Sequence, residues 1–208
     1  MIQGSPEWFA ARCGKLTASS IADAIAKTKS GWGASRANVM ARLIAERLTG
    51  TPAESYQNKE MQWGSETEPL ARDAYEFYAD VDVEQVGFIV HPDFPESGAS
   101  PDGMVGEQGL VEIKCPNTAT HIDTLLGDSI AGRYILQMQW QMACTSRKWC
   151  DFVSFDPRMP GRMRLFIQRI PRDDVLIASL SKDVELFLRE LNTKLASLRA
   201  IYDIEAAA

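Results

Sequence analysis

The chain has 208 residues, 45% of them hydrophobic and 24% charged, with 22 Lys and Arg against 28 Asp and Glu for a formal net charge of −6. This is the composition of one globular domain able to bury roughly 70% of its unfolded surface, and it excludes disorder as the resting state. The acidic balance argues against a protein that coats DNA non-specifically, since that affinity comes from Lys and Arg on phosphates, and no run of about 18 apolar residues is available to span a membrane. The opening MIQGSPEWFAARCGKL lacks the basic and apolar regions of a secretory leader. Cys13, Cys115, Cys144 and Cys150 form no CxxC pair, and only His91 and His121 could assist a zinc site. The expectation is four reduced thiols in a cytoplasmic protein.

From the N-terminus, Thr17 or Ser19 is placed to cap a helix running through Ala26, and Val39, Met40, Leu43, Ile44 and Leu48 recur at helical spacing until Gly50. Between them TKSGWGASR, residues 28–36, reads as a mobile basic loop that exposes Trp32. The stretch Glu66–Tyr78 predicts a helix with Leu70, Ala74 and Phe77 as its apolar stripe. The period then shortens. Val86, Phe88 and Val90 alternate as in a strand, the Pro- and Gly-rich His91–Gly103 turns the chain, and Leu110–Cys115 alternates again. A helix is expected over Ile130–Ala143, then two strands, Cys150–Phe155 and Met163–Ile170, joined as a hairpin by DPRMPGR. From Asp173 onward Leu176, Leu180, Val184, Phe187, Leu191, Leu195 and Leu198 recur every three or four residues, giving a long amphipathic C-terminal helix. There is no internal repeat, and no low-complexity tract beyond Ala206–Ala208. The fold expected is mixed α/β, a small sheet flanked by helices in one domain over 1–208: a helical part at about 1–80, a sheet core at about 84–170 and a C-terminal helix at about 173–204.

The chemistry concentrates in Ser100-Pro101-Asp102-Gly103 and Leu110–Pro116. Side chains alternate along a strand, so Glu112 and Lys114 share one face while Val111 and Ile113 take the other. A hairpin turning at Gly106 and Gly109 brings Asp102 back beside Glu112. Two converging carboxylates suit a hard cation such as Mg²⁺, which keeps part of its water shell and bridges to phosphate. Lys114 beside them can orient or deprotonate an attacking water and stabilise the charge of a phosphorane. Glu-x-Lys alone is more often an ordinary exposed cross-strand pair, because so short a motif recurs by chance.

Its context points further. Pro101-Asp102 followed ten positions on by Glu112-x-Lys114 resembles the PD-(D/E)-x-K nuclease superfamily, and Ser-Pro-Asp-Gly with Glu-Ile-Lys-Cys-Pro is similar to the branch holding phage lambda exonuclease and the YqaJ-type viral recombinases. Arg12-Cys-Gly-Lys-Leu-Thr-Ala-Ser19 resembles that family's N-terminal motif, Trp63-Gly-Ser-Glu-Thr-Glu68-Pro-Leu-Ala-Arg72 its Glu-bearing helix, and Tyr134-Ile-Leu-Gln137-Met-Gln139 its helix facing the metal. The resemblance covers about residues 6–155, in the family's order. It implies a restriction-endonuclease-like core with Asp102, Glu112, Lys114, Gln137, Glu68 (in preference to Glu66) and Tyr134 as catalytic residues, Gln139 ranking second. Asp102, Glu112 and the Ile113 backbone carbonyl are the implied ligands of one or two Mg²⁺ ions, with Mn²⁺ as substitute. Arg12, Ser19 and Ser100 are the implied 5′-phosphate contacts. Helical spacing sets residues 134, 137, 138 and 141 on one face.

The activity implied is 5′-to-3′ digestion of duplex DNA ends, leaving 3′ single strands for phage-type recombination. The resemblance also implies a ring-shaped homotrimer, a single-strand annealing protein as partner, and a phage or prophage gene expressed in bacterial cytoplasm. Lys27, Lys29 and Arg36 are candidate duplex contacts, and Trp32 and Met61 candidate wedges between bases. Three other readings stand beside this one: a PD-(D/E)-x-K endonuclease of restriction or resolvase type, an iron–sulfur nuclease using the cysteines, and a non-catalytic DNA-end-binding scaffold. On the nuclease reading the net acidity becomes an expectation of its own, that positive potential is gathered into one cleft or channel.

Overall fold

The computed structural model describes residues 1–29, 31–53, 59–127 and 130–203. Ser30 in the expected basic loop and the closing alanines lie outside the described residues. The elements that build the site are a five-stranded sheet and the two helices on its faces. In chain order the strands are β1 (Leu16–Thr17), β2 (Lys27–Thr28), β3 (Gly31–Trp32), β4 (Val83–Glu84), β5 (Ile89–Val90), β6 (Ser97–Ala99), β7 (Gly103–Val105), β8 (Gly109–Lys114), β9 (Trp149–Phe155) and β10 (Leu165–Pro171). The helices are α1 (Pro6–Arg12), α2 (Ile21–Ala24), α3 (Ala34–Thr49), α4 (Lys59–Ala79), α5 (Thr118–Leu125), α6 (Gly132–Thr145) and α7 (Asp174–Tyr202).

The larger sheet has the order β10-β9-β8-β7-β4, in which only β8 and β9 run parallel. Strand β8 is central and nearly wholly buried, and its alternation distributes the chain between two layers. Val111 and Ile113 pack with Ala71 and Tyr75 of α4, while Leu110 packs with Met138 and Met142 of α6. Tyr75 donates from its hydroxyl to buried Asp151 (2.8 Å), which Arg169 also clamps through two hydrogen bonds of 2.8 and 2.9 Å. A third cluster joins α2, α3, α6 and α7 around Leu43, Trp140 and Phe187. Helix α7 begins where Asp173 accepts from the Leu176 amide, and α3 ends at Gly50 with φ +65°, a left-handed cap suited to glycine.

Four expectations are corrected. The inward stripe of α4 is Thr67, Ala71 and Tyr75, one residue on from the expected one, leaving Leu70 and Phe77 56% and 82% exposed. The two stripes differ by only about 100° around the helix, and the hydrogen bond waiting at Asp151 selects the face carrying Tyr75. Of the strand expected through Val86–Val90 only Ile89–Val90 pairs, as β5, because Gln3 takes the Val86 carbonyl (2.9 Å) and the N-terminal chain crosses at Gly87. The segment expected only to turn, His91–Gly103, contains β6, the central strand of a second sheet ordered β1-β6-β5. Its Ser-Gly-Ala sequence carries no apolar alternation. Small size is what admits it: a Cβ on Gly98 would lie 2.4 Å from the Phe88 ring. The N-terminal cap also differs, since neither Thr17 nor Ser19 bonds a helix amide; Thr17 Oγ1 instead meets the hydroxyls of Ser19 (3.1 Å) and Ser20 (3.3 Å).

Candidate active site

The sheet brings Asp102, Glu112 and Lys114 together through the β7–β8 hairpin, turned at Gly106 with φ +52°. Strand β7 begins opposite Val111, so beyond that point the β7 edge of β8 has no strand partner. There the Ile113 amide donates to Asp102 Oδ2 at 2.6 Å. A residue's N–H and C=O point to the same edge of a strand, so the Ile113 carbonyl also lies on the Asp102 side. Asp102 Oδ1 accepts no hydrogen bond among the described residues.

Glu112 is fully buried and takes three donors: the Lys114 ammonium and Gln137 Nε2 (2.7 Å) on Oε1, and Gln141 Nε2 (2.6 Å) on Oε2. Gln137 and Gln141 are four residues apart on α6 and so share the face turned to β8. Tyr134, one turn earlier, stacks on Phe152 and presents its ring 5.2 Å from the Lys114 nitrogen. Gln139 points elsewhere, tying the start of α7 through Pro171 and Asp173. Burial, the neighbouring Glu112 and then Glu68 hold the Asp102 carboxyl well above its ordinary range. Burial by itself would lower the Lys114 ammonium, but Glu112 and Asp102 outweigh it and carry it above its ordinary value. Both carboxylates thus favour the charged form of the Lys114 ammonium. Glu68 lines the same cleft and is held by Arg72 at 2.5 Å.

Next to this group is a second set. Helix α1, opened by Ser5 as N-cap and Pro6 at its first turn, places Trp8 and Arg12 four residues apart. The guanidinium of Arg12 lies 3.8 Å from the Trp8 ring centroid, and Trp8 Nε1 donates to Ser100 Oγ at 2.9 Å. Among the described residues no carboxylate pairs with Arg12. Burial first, then Arg42, bring it down to about 10, with Glu46 opposing. Glu46 is itself occupied by the Gly14 and Ala53 amides and Arg42. Gly14 needs its identity: its φ is +69°, and a Cβ there would lie 2.7 Å from Arg47 Cγ. A cavity of about 180 Å³ is lined by Arg12, Ser19 and Ser100 together with Asp102, Glu112 and Lys114.

Sequence reasoning missed Trp8, and it set residue 141 on the face of Tyr134 and Gln137 without giving it a role. The i, i+4 spacing of Trp8 with Arg12, and of Gln141 with Gln137, was the available signal. Gln141 Oε1 is buried without a partner among the described residues, an acceptor left open at the edge of the acidic pair. The loop residues stand apart from both cavities. Arg36 is a correction: it is 3% exposed, paired with Glu190 at 2.8 Å and stacked on Trp32 and Phe187, so it has no surface to offer a phosphate. Lys27 pairs with Asp183 (3.0 Å), and Lys29 is exposed. Trp32 is 42% exposed beneath Lys27 and Arg36, whereas Met61, 50% exposed, borders the cleft that holds Asp102 and Lys114. The cysteines are free, and burial, with acidic neighbours at Cys115, pushes the thiols of Cys115 and Cys144 up to about 12. Among the described residues no three Cys, His, Asp or Glu side chains gather, so the cysteines do not come together as an iron–sulfur cluster requires.

Asp102 leading into β7, with Glu112 and Lys114 on the buried β8 and a cleft open beside them, is an arrangement that fits a nuclease. The chain belongs to the YqaJ-like viral recombinase domain family, whose model matches residues 7–148. It is 51% identical to the alkaline exonuclease LHK-Exo of Laribacter hongkongensis, with a TM-score of 0.89, covering 96% of this chain and 98% of that one. The same protein in complex with dAMP matches with a TM-score of 0.90. A phage related exonuclease from Haemophilus somnus shares the fold at 18% identity, TM-score 0.73, over 88% of this chain and 96% of that one. An uncharacterized protein of Acanthamoeba polyphaga mimivirus is 29% identical over 113 residues, 47% of this chain but only 20% of its own length.

Proposed function

We propose that the protein is a Mg²⁺-dependent exonuclease that degrades the 5′-phosphorylated strand of duplex DNA from its end, leaving a 3′ single strand for recombination by annealing. The observation that carries this is the unpaired Arg12 guanidinium sharing one small cavity with Ser19, Ser100, Asp102, Glu112 and Lys114. Arg12 can donate two parallel hydrogen bonds to a terminal phosphate, and the two serines add directional donors. A site that needs a terminal phosphate acts at ends, and each cut exposes the next one.

The donor set fits a hard divalent cation. Asp102 Oδ1 is open among the described residues, the Ile113 carbonyl faces the same side, and the neighbouring Glu112 raises the Asp102 carboxylate's need for a positive neighbour. Among the described residues no three acidic, His or Cys side chains gather, so water and phosphate oxygens would complete the shell, as suits Mg²⁺. When bound, such a cation polarises the scissile phosphate and makes its water more acidic. The protein's own part is to fix Glu112 through Gln137 and Gln141, to hold the water against the Lys114 ammonium, and to neutralise charge on the phosphorane with that same ammonium. Tyr134 and Glu68 border the cleft and orient what enters it.

The partners follow from this reading: DNA ends, a single-strand annealing protein, and two further copies in a ring, supported by the exposed Leu70, Phe77 and Tyr78 of α4. The setting is bacterial cytoplasm with a phage or prophage gene, and no helix among the described residues is long and apolar enough to cross a membrane. The deciding experiment is timed digestion of linear duplex with Mg²⁺, labelled at one 5′ or one 3′ end, beside closed circular DNA. Early release of the 5′ label with the circle intact is expected. Cutting of the circle would establish the endonuclease reading instead, and no release of either label with intact end binding would establish the scaffold.

A further inference from the structure

The mechanism above uses one of two cavities that meet at Asp102 and Lys114. The other is a groove of about 730 Å³ running from those residues past Trp63 of α4 and Arg158 of the β9–β10 connection. Arg158 is built into place. Asp156, fully buried, accepts from its Nε at 2.7 Å and from its Nη2 at 2.9 Å, and the Asp156 carboxylate is held in turn by Thr118 at 2.7 Å. The guanidinium plane lies 4.5 Å from the Trp63 ring centroid. One edge and one face are thus occupied, yet the side chain remains 48% exposed, and Nη1 makes no hydrogen bond among the described residues. A surface arginine ordinarily loses rotamer freedom when it binds an anion. Here that ordering is already made by the Asp156 clamp and the Trp63 stack, so the remaining N–H groups are presented at low entropic cost.

Position assigns the ligand. If the terminal phosphate occupies the small cavity and the scissile phosphate lies at Asp102, Glu112 and Lys114, the strand continuing away from the cut has the groove as its path. We infer that Arg158, seated on Trp63, binds the first phosphodiester on the 3′ side of the scissile bond. This inference rests on the 5′-to-3′ reading. The role proposed for Arg158 is to hold the register of the strand so that one nucleotide, and not two, is advanced per cut.

The test is a walk of single neutral methylphosphonate linkages along the 5′-phosphorylated strand, with binding measured in a Lys114→Ala background so that nothing is cut. Neutralising the linkage next after the scissile one should weaken binding about tenfold, and neutralising linkages farther along should do much less. In an added Arg158→Ala the same linkage should cost nothing further, and the salt slope of binding should fall by roughly 0.7 for the lost single-strand phosphate contact. Removing Arg158 leaves Asp156 buried and unpaired, so Arg158→Ala with Asp156→Asn supplies the variant if the single one does not fold. A linkage effect of equal size with and without Arg158, or a profile with no dip at that linkage, would overturn the assignment. Loss of 5′ polarity in the wild-type protein would instead remove the reading on which it rests, so the two failures are distinguishable.

Discussion

Glu112 has no water-exposed surface, and its charge is tolerated because both oxygens are met, one by Lys114 and Gln137 and the other by Gln141. Gln141 never touches solvent and stands outside the motif that identified its neighbours, yet it is the only side chain bonded to Glu112 Oε2 among the described residues. Gln141→Leu keeps the volume and the helix but strands that oxygen. Residues supporting a metal ligand typically matter by about 10–100-fold. We expect a loss of that size in kcat, matched by weaker Mn²⁺ binding measured by electron paramagnetic resonance, with Gln141→Glu failing to rescue because it brings a second charge. At Arg12 the expectation concerns substrate and not rate alone. Wild-type protein should digest 5′-phosphorylated duplex faster than 5′-hydroxyl duplex, and Arg12→Ala should remove the difference. Equal rates on the two ends with wild-type protein would eliminate the phosphate pocket.

Among the elements, β8 and α6 were legible because their periods are local. Alternation along Leu110–Cys115 placed Glu112 with Lys114, and spacing along α6 placed Tyr134 with Gln137. Strand β6 was not legible, since three small residues carry no period, and α1 was passed over because a seven-residue helix with no buried residue leaves no apolar stripe to read. What makes β6 a strand is close approach. Gly98→Ala would set a methyl against the Phe88 ring and the Ile89 carbonyl, at 2.4 and 2.5 Å. Overpacking of this kind costs about 1–3 kcal/mol, and backbone on one side leaves little room to relax. Urea denaturation should show the loss. Because β6 leads directly to Ser100 and Asp102, activity per folded molecule should fall as well. Tyr75→Phe tests the placement of α4: removing one hydrogen bond from buried Asp151 should cost about 1–2 kcal/mol, with Arg169 retaining the rest. A neutral outcome would mean that apolar packing alone holds α4 to the sheet.

For the whole molecule, the net charge of −6 is spent unevenly. Arg12, Arg42 and Arg72 line one cavity of about 600 Å³ together with Glu46 and Glu68, and Lys59, Lys114 and Arg158 line the groove beside it with Glu60, Glu68 and Asp102, so a few placed cations stand among carboxylates. A binder of this kind makes few phosphate contacts. Its affinity for duplex ends should fall with salt along a slope near −3 to −4 in a log–log plot, at roughly 0.7–0.9 per phosphate. A slope near −10 would mean a broad basic surface that the charge distribution does not provide.

The amino-acid sequence by itself determined that Asp102, Glu112 and Lys114 come together, the hairpin that joins them and the family, because these depend on spacing within a strand, a turn or a helix. Tertiary structure decided what spacing leaves open. It turned Arg36 inward to Glu190, chose the Tyr75 face of α4 over the Phe77 face, and brought Trp8 from the first helix onto Ser100. Each of those outcomes depends on which distant group satisfies a buried polar atom, and a local period carries no record of that partner.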